Sequence, residues 1–204
     1  MPDIHLYSFQ GCPFARRTRM TLVEKGLDFE LTEIDLKNRP ANFAEISPYG
    51  KVPVLMHNGG RLYESAIINE YLNDVFPEPP LMPADPMLRA QARIWMDYCD
   101  SRFSSASWQF MQAGDDADKL AAARSALKEC FEFIEHEGLR KLSNGPFWLG
   151  EHISLVDIQF MPFFQRYAAQ PARAEIPADC SRLHDWLTLM SERESYLRTE
   201  PQAA

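Results

Sequence analysis

The chain has 204 residues, 46% of them hydrophobic, which is enough to bury a sizeable core without cross-links. Lys and Arg number 21 against 29 Asp and Glu, and the formal net charge of −8 argues against binding nucleic acid or an anionic membrane through a basic face. Cys12, Cys99, Cys130 and Cys180 are widely spaced, with no C-x-x-C pair, no histidine at zinc-site spacing, no leader-like start and no membrane-length apolar run. The expectation is therefore a soluble, cytoplasmic, reduced protein without a metal site.

In chain order, the apolar stretch Ile4–Phe9 predicts a strand, and the segment from Cys12 to about Gly26 predicts a helix. Further strands are expected at Phe29–Ile34, Val52–His57 and Arg61–Tyr63. The first two, joined by a helix, should run parallel. The last two flank Asn58-Gly59-Gly60, a glycine-rich turn that fits an antiparallel hairpin. Ile67, Ile68, Tyr71, Leu72, Val75 and Phe76 then mark one face of a helix closed by Pro77. The proline-rich stretch 77–85 reads as a stiff linker, so an α/β domain at 1–76 is expected to precede an all-helical domain at 86–204.

In the second half, Leu88, Ala92, Trp95, Cys99, Phe103, Ala106 and Phe110 recur at helical spacing, as do Leu120, Leu127, Phe131 and Ile134. Two long antiparallel helices are expected. Ser154 with Asp157 resembles a capping box, and Ile153 and Ile158 sit where a hydrophobic staple places them. Pro162 falls inside the helix that follows, and a last helix is expected over Ser181–Arg193.

The chemistry concentrates at Cys12-Pro13-Phe14-Ala15, between a strand and a helix start. A thiol there meets the positive end of the helix dipole, which lowers thiol pKa values into the range ~3.5–7.5 and makes a nucleophile. Position 15 is alanine, so no intramolecular dithiol cycle runs and a thiol must come from solution, glutathione being the obvious donor. Val52-Pro53 opens a strand, and a cis bond there would present the Val52 backbone to an extended peptide. Glu64-Ser65 lies at a strand-to-helix junction: a serine cap with free N–H groups takes a carboxylate, and Glu64 an ammonium, together matching a γ-glutamyl end. Each element alone also has a bland reading, as a core cysteine, an edge proline or a plain cap. His5, His57, His136, His152 and His184 form no acid–base pair with a named partner.

In combination, these motifs resemble the thioredoxin-like domain of glutathione transferases, and Gly150 with Ser154-Leu155-Val156-Asp157 resembles that family's core-helix motif. The fold implied is a βαβαββα thioredoxin-like domain followed by an all-α helical bundle. Cys12-Pro13-Phe14-Ala15, Arg17-Thr18-Arg19, Leu36 to Pro40, Val52 to Leu55 and Tyr63 to Ile67 resemble the cysteine-type omega class. The resemblance implies a Cys12–glutathione mixed disulfide, with Val52 pairing to the cysteinyl backbone and Glu64 and Ser65 holding the γ-glutamyl end. It places Phe14, Lys51 and Pro53 in the same site, and Arg39 where the class carries a lysine for the glycine carboxylate. Trp95, Tyr98 and Trp108 would supply the wall for a second substrate. Thiol transfer, deglutathionylation or dehydroascorbate reduction follows, with weak conjugation and homodimerisation also implied. A second resemblance, through Phe76 to Pro83 and Ser154 to Asp157, is to stringent starvation protein A, a non-enzymatic RNA polymerase-binding regulator of the same fold. That family lacks a cysteine at the helix start.

Overall fold

A computed structural model describes residues 3–168 and 176–201 of the chain. It divides into two compact units, Met1–Pro80 with Glu192–Ala204, and Leu81–Ser191.

In the first unit, strands β1 (Ile4–Ser8), β2 (Glu30–Glu33), β3 (Val54–His57) and β4 (Gly60–Tyr63) form one sheet in the order β2-β1-β3-β4. β1 pairs parallel with β2 and antiparallel with β3, with Leu6 opposite both Leu31 and Leu55. Asn58 and Gly59 turn the β3–β4 hairpin with φ of 49° and 76°, the paired left-handed values that this two-residue turn requires. Alternation along β1 sends Ile4 and Leu6 to one face, where they pack with Leu22 of helix α1 (Pro13–Glu24) and Ile68 and Leu72 of α3 (Ser65–Val75). Tyr7 faces the other way, into a cluster of Ala15, Ile34, Phe43 and Val52 that is closed by the single-turn helix α2 (Phe43–Ile46).

Of the residues expected on the buried stripe of α3, Ile68 and Leu72 are buried and Tyr71 and Phe76 pack against them, whereas Ile67 and Val75 are exposed. The helix buries Ser65, Ile68, Asn69 and Leu72, at the i, i+3, i+4, i+7 spacing that makes a single face. Ile67 lies about 100° round from Ile68 and is 61% exposed.

The second unit is helical. α4 (Pro86–Tyr98) continues through a π-helical segment (Cys99–Phe103) into α5 (Ser104–Gln112), and α6 (Ala117–Phe133) through another (Ile134–Leu139) into α7 (Arg140–Leu142). Each expected long helix is thus one path with a widened turn in it. Asp85 and Asp116 cap α4 and α6, accepting from the N–H of Leu88 at 2.8 Å and of Lys119 at 3.1 Å. α8 (Leu155–Ala168) contains Pro162, and α9 (Ser181–Ser191) follows the undescribed stretch. Phe103, Phe131, Phe160, Trp148 and Trp186 form the buried aromatic core.

Two buried carboxylates pin this core. Asp157 accepts from Ser154 Oγ at 2.6 Å, Ser154 N at 2.8 Å, Trp186 Nε1 at 2.7 Å and Trp148 N at 3.1 Å. Burial pushes its carboxyl above the usual carboxylate range, and those donors pull the other way. Glu135, also fully buried, accepts from the N–H groups of Arg182 and Leu183 at the start of α9, and from Arg140 Nε.

The C-terminal segment, which the sequence reading assigned to the helical domain at 86–204, groups with the first unit. Around α10 (Glu194–Leu197), Arg193 grips Glu24 of α1 through two bonds of 2.8 and 2.7 Å. Arg16 donates to Tyr196 O at 2.9 Å and Thr199 Oγ1 at 3.2 Å, with its guanidinium 4.3 Å from the Tyr196 ring. Among the described residues no helix is long and apolar enough to cross a membrane.

Candidate functional site

Cys12 is the N-cap of α1, with Pro13 in the first turn, where a missing N–H costs nothing. Its own N–H donates to Phe9 O at 2.9 Å, closing the turn that leaves β1. The thiol is half-buried, and its Sγ lies 3.8 Å from Val52 O. The other three cysteines are buried. Burial raises the Cys130 thiol above its ordinary pKa, and burial reinforced by Glu135 pushes Cys180 up to about 11.

Beside Cys12 a cleft of about 500 Å³, counting its open mouth, is lined by Phe14, Lys51, Val52, Pro53, Glu64 and Ser65. Those six were named from the sequence, and the fold brings them together from three separate segments. Val52–Pro53 is a cis bond. Val52 stands two residues before the first paired residue of β3, outside the sheet ladder. Ser47, Tyr49 and Tyr63 complete the wall and were not anticipated. Ser47 shapes it from behind: its hydroxyl donates to Lys51 O at 2.7 Å and accepts from Lys51 N at 2.9 Å, closing the loop before Val52. Tyr49, 60% exposed, meets Tyr63 edge-on at 4.7 Å. A serine at the start of such a loop and a tyrosine before Gly50 carry no signal that separates them from ordinary loop residues.

The junction at Glu64-Ser65 differs from the expectation. Glu64 is the cap and Ser65 the first helical residue, because Glu64 takes φ 71°, ψ 113°, a left-handed conformation unusual for a residue with a side chain. Such backbone costs of order 1–3 kcal/mol and concentrates at binding sites. The exposed Glu64 carboxylate and the first N–H groups of α3 stand side by side at the cleft. Beneath them Arg17, fully buried, donates to Ser65 Oγ at 3.4 Å and lies 4.9 Å from the Phe14 ring centroid.

The remaining site residues are placed elsewhere. Arg39 does not line the cleft. It is exposed, donates to Leu36 O at 3.3 Å and lies 5.7 Å over Phe43. Gly50, with φ +62°, lets it approach: a Cβ there would stand 3.1 Å from Arg39 Nη1. Trp95 is core, packed 4.9 Å from Trp148 and 5.4 Å from Phe133, so it offers no wall to a substrate. Tyr98 is half-buried and edges a separate cleft of the helical unit with Arg102, Cys130 and Phe133. Trp108 is 59% exposed on α5. Among the described residues no cluster of His, Cys, Asp and Glu is arranged to hold a metal.

This arrangement of thiol, strand-edge backbone and paired charges can be set against known proteins. Residues 6–80 match the N-terminal domain of glutathione S-transferases and residues 117–188 their C-terminal domain. Glutathione S-transferase U19 of Arabidopsis thaliana is 31% identical over 98% of this chain and 90% of its own length. The chain belongs to the glutathione S-transferase family. Its fold is that family's: a thioredoxin-like domain built on a four-stranded mixed sheet, and a helical domain. Among solved structures, glutathione transferase Omega 3C from Trametes versicolor superposes with a TM-score of 0.87 at 27% identity, covering 99% of this chain and 90% of that one. The Tau class enzyme MiGSTU from mango gives 0.88 at 29%, covering 98% and 93%. Rice GST1, solved in complex with glutathione, gives 0.83 at 28%, covering 98% and 91%. Glutathione is the co-substrate of the family.

Proposed function

We propose that this glutathione transferase is of the cysteine type and works by thiol–disulfide exchange at Cys12. The observation that carries the reading is a half-exposed thiol at the N-terminus of α1, bordering the cleft, with a buried alanine at position 15 in place of a resolving thiol. The Cys12 thiolate attacks the glutathionyl sulfur of a mixed disulfide R–S–S–G, forming Cys12–S–S–G and releasing R–S⁻, which takes a proton from water. Glutathione thiolate then attacks the glutathionyl sulfur of that adduct, forming oxidised glutathione and releasing Cys12–S⁻. Deglutathionylation and, with two glutathiones as reductant, dehydroascorbate reduction are reactions of this type.

In this reading Val52 pairs with the cysteinyl backbone of glutathione, Ser65 and the α3 N-terminus take the γ-glutamyl carboxylate, and Glu64 takes its ammonium. Phe14 flanks the thiol and Pro53 holds Val52 in place. Lys51, which lines the cleft, and Arg39, whose guanidinium lies against Gly50, are the cations offered for the glycine carboxylate. Tyr98 and Trp108 are the aromatic side chains left for a second substrate. The resemblance to the omega class also supports a homodimer in the reducing cytoplasm.

The test is Cys12→Ala, assayed for reduction of a glutathionylated peptide and for binding of S-methylglutathione. Loss of the reductase activity with binding retained is expected; unchanged reductase activity would sink the role assigned to Cys12. Cys12→Ser is the companion variant: a serine hydroxyl supports conjugation rather than exchange, so weak conjugating activity should appear as reductase activity disappears.

A further inference from the structure

The turn that seats Cys12 is held by a residue two helical turns further on. Arg19 is 6% exposed, and its forked head donates to Ser8 Oγ at 2.5 Å, Phe9 O at 3.2 Å and Gln10 O at 3.1 Å. Phe9 O is also the acceptor of the Cys12 N–H at 2.9 Å, so guanidinium and cysteine backbone share one carbonyl. None of the three acceptors carries a formal charge, and among the described residues Arg19 makes no ion pair. Burying a cation this way is costly unless a negative charge comes near it.

The surrounding charged groups can be named. Glu33 of β2 accepts the Gln10 N–H and is spent in part on that bond, Arg16 stands on the same helix and opposes Arg19, and Arg17 lies beneath Ser65. Burial lowers the Arg19 pKa from its ordinary value; Glu33 and Cys12 act in the opposite sense by favouring its charged form.

We propose that Arg19 is a positioning residue for Cys12, its fork clasping the Ser8–Gln10 turn so that the thiol is held at the helix start, with a buried positive charge on the turn that carries it. The inference deepens the Cys12 reading and rests on it. Arginine suits the task better than lysine, because one planar head reaches three oxygens at once.

The experiment is the rate of Cys12 alkylation by iodoacetamide as a function of pH, read by peptide mass spectrometry on the full chain without glutathione. It compares the wild type with Arg19→Gln, Arg19→Met and Arg19→Lys. Removing the charge should raise the midpoint by about one pH unit, a roughly tenfold lower thiolate population well below it. Arg19→Met keeps a stem of similar bulk without a buried polar head, and supplies the measurement if Arg19→Gln does not fold. Arg19→Lys should recover at least half of the shift; a Lys variant no better than Met overturns the electrostatic role. A folded neutral variant whose midpoint coincides with the wild type, with only its melting temperature lowered, overturns the proposal and leaves Arg19 a structural residue. Failure of the underlying reading looks different: wild-type Cys12 would then resist alkylation at every pH, whatever stands at position 19.

Discussion

The two units bury charge of opposite sign, and for different ends. The first unit buries cations, Arg16, Arg17, Arg19 and Lys25, on α1 and at its end. Arg16, Arg19 and Lys25 donate to carbonyl, hydroxyl and amide oxygens, as with Lys25, which donates to Asn73 Oδ1, Phe76 O and Pro79 O at 2.6–3.0 Å. The helical unit buries the carboxylates Asp157 and Glu135 on N–H groups at the starts of α8 and α9. An anion at a helix start is compensated by the dipole and the unpaired N–H groups, so it serves as a pin. A cation on carbonyl oxygens has only their partial charges for compensation.

That contrast can be broken first at its strongest point. Asp157→Ala strands four donors in the core and should cost about 3–5 kcal/mol, measured as a lower midpoint in urea denaturation. Arg16→Met should cost less, about 1–2 kcal/mol, since it removes two hydrogen bonds and a ring contact but leaves no unpaired charge behind. If the two losses prove equal, the pin and the cation do not differ in kind. Glu64→Gly should raise stability by about 1 kcal/mol by relieving the φ 71° backbone while weakening S-methylglutathione binding, a split that melting and titration calorimetry read separately.

The effect smallest at neutral pH is at Cys180, and it grows only in alkali. With its thiol pushed from 9.0 to about 11 by burial, native Cys180 holds its proton while the unfolded chain releases it. Its contribution is therefore complete below pH 9 and is lost as pH rises through about 11. Cys180→Ala should flatten that part of the stability-against-pH curve.

Much of this was legible because it is local. The hairpin followed from Asn58-Gly59, and the start of α8 from the Ser154–Asp157 spacing. What local spacing could not give is how many jobs one group performs. Asp157 answers Ser154 as a capping partner does, but its bonds to Trp148 and Trp186 come from distant segments. Trp95 sat at a plausible wall position by spacing, and the aromatic core claimed it. Ser65 read as a cap because serine favours that role, whereas the left-handed Glu64 takes the cap and moves Ser65 one step into the helix. Arg19 was visible only as part of a motif, since nothing in spacing says that a helix residue reaches back to clasp the preceding turn.

The most direct test of the Cys12 account is intact-protein mass spectrometry after incubation with oxidised glutathione, followed by peptide mapping. The account predicts a single glutathione adduct on Cys12 that reduced glutathione removes, with Cys99, Cys130 and Cys180 unmodified in their buried positions. An unmodified Cys12, or an adduct confined to another cysteine, would contradict it.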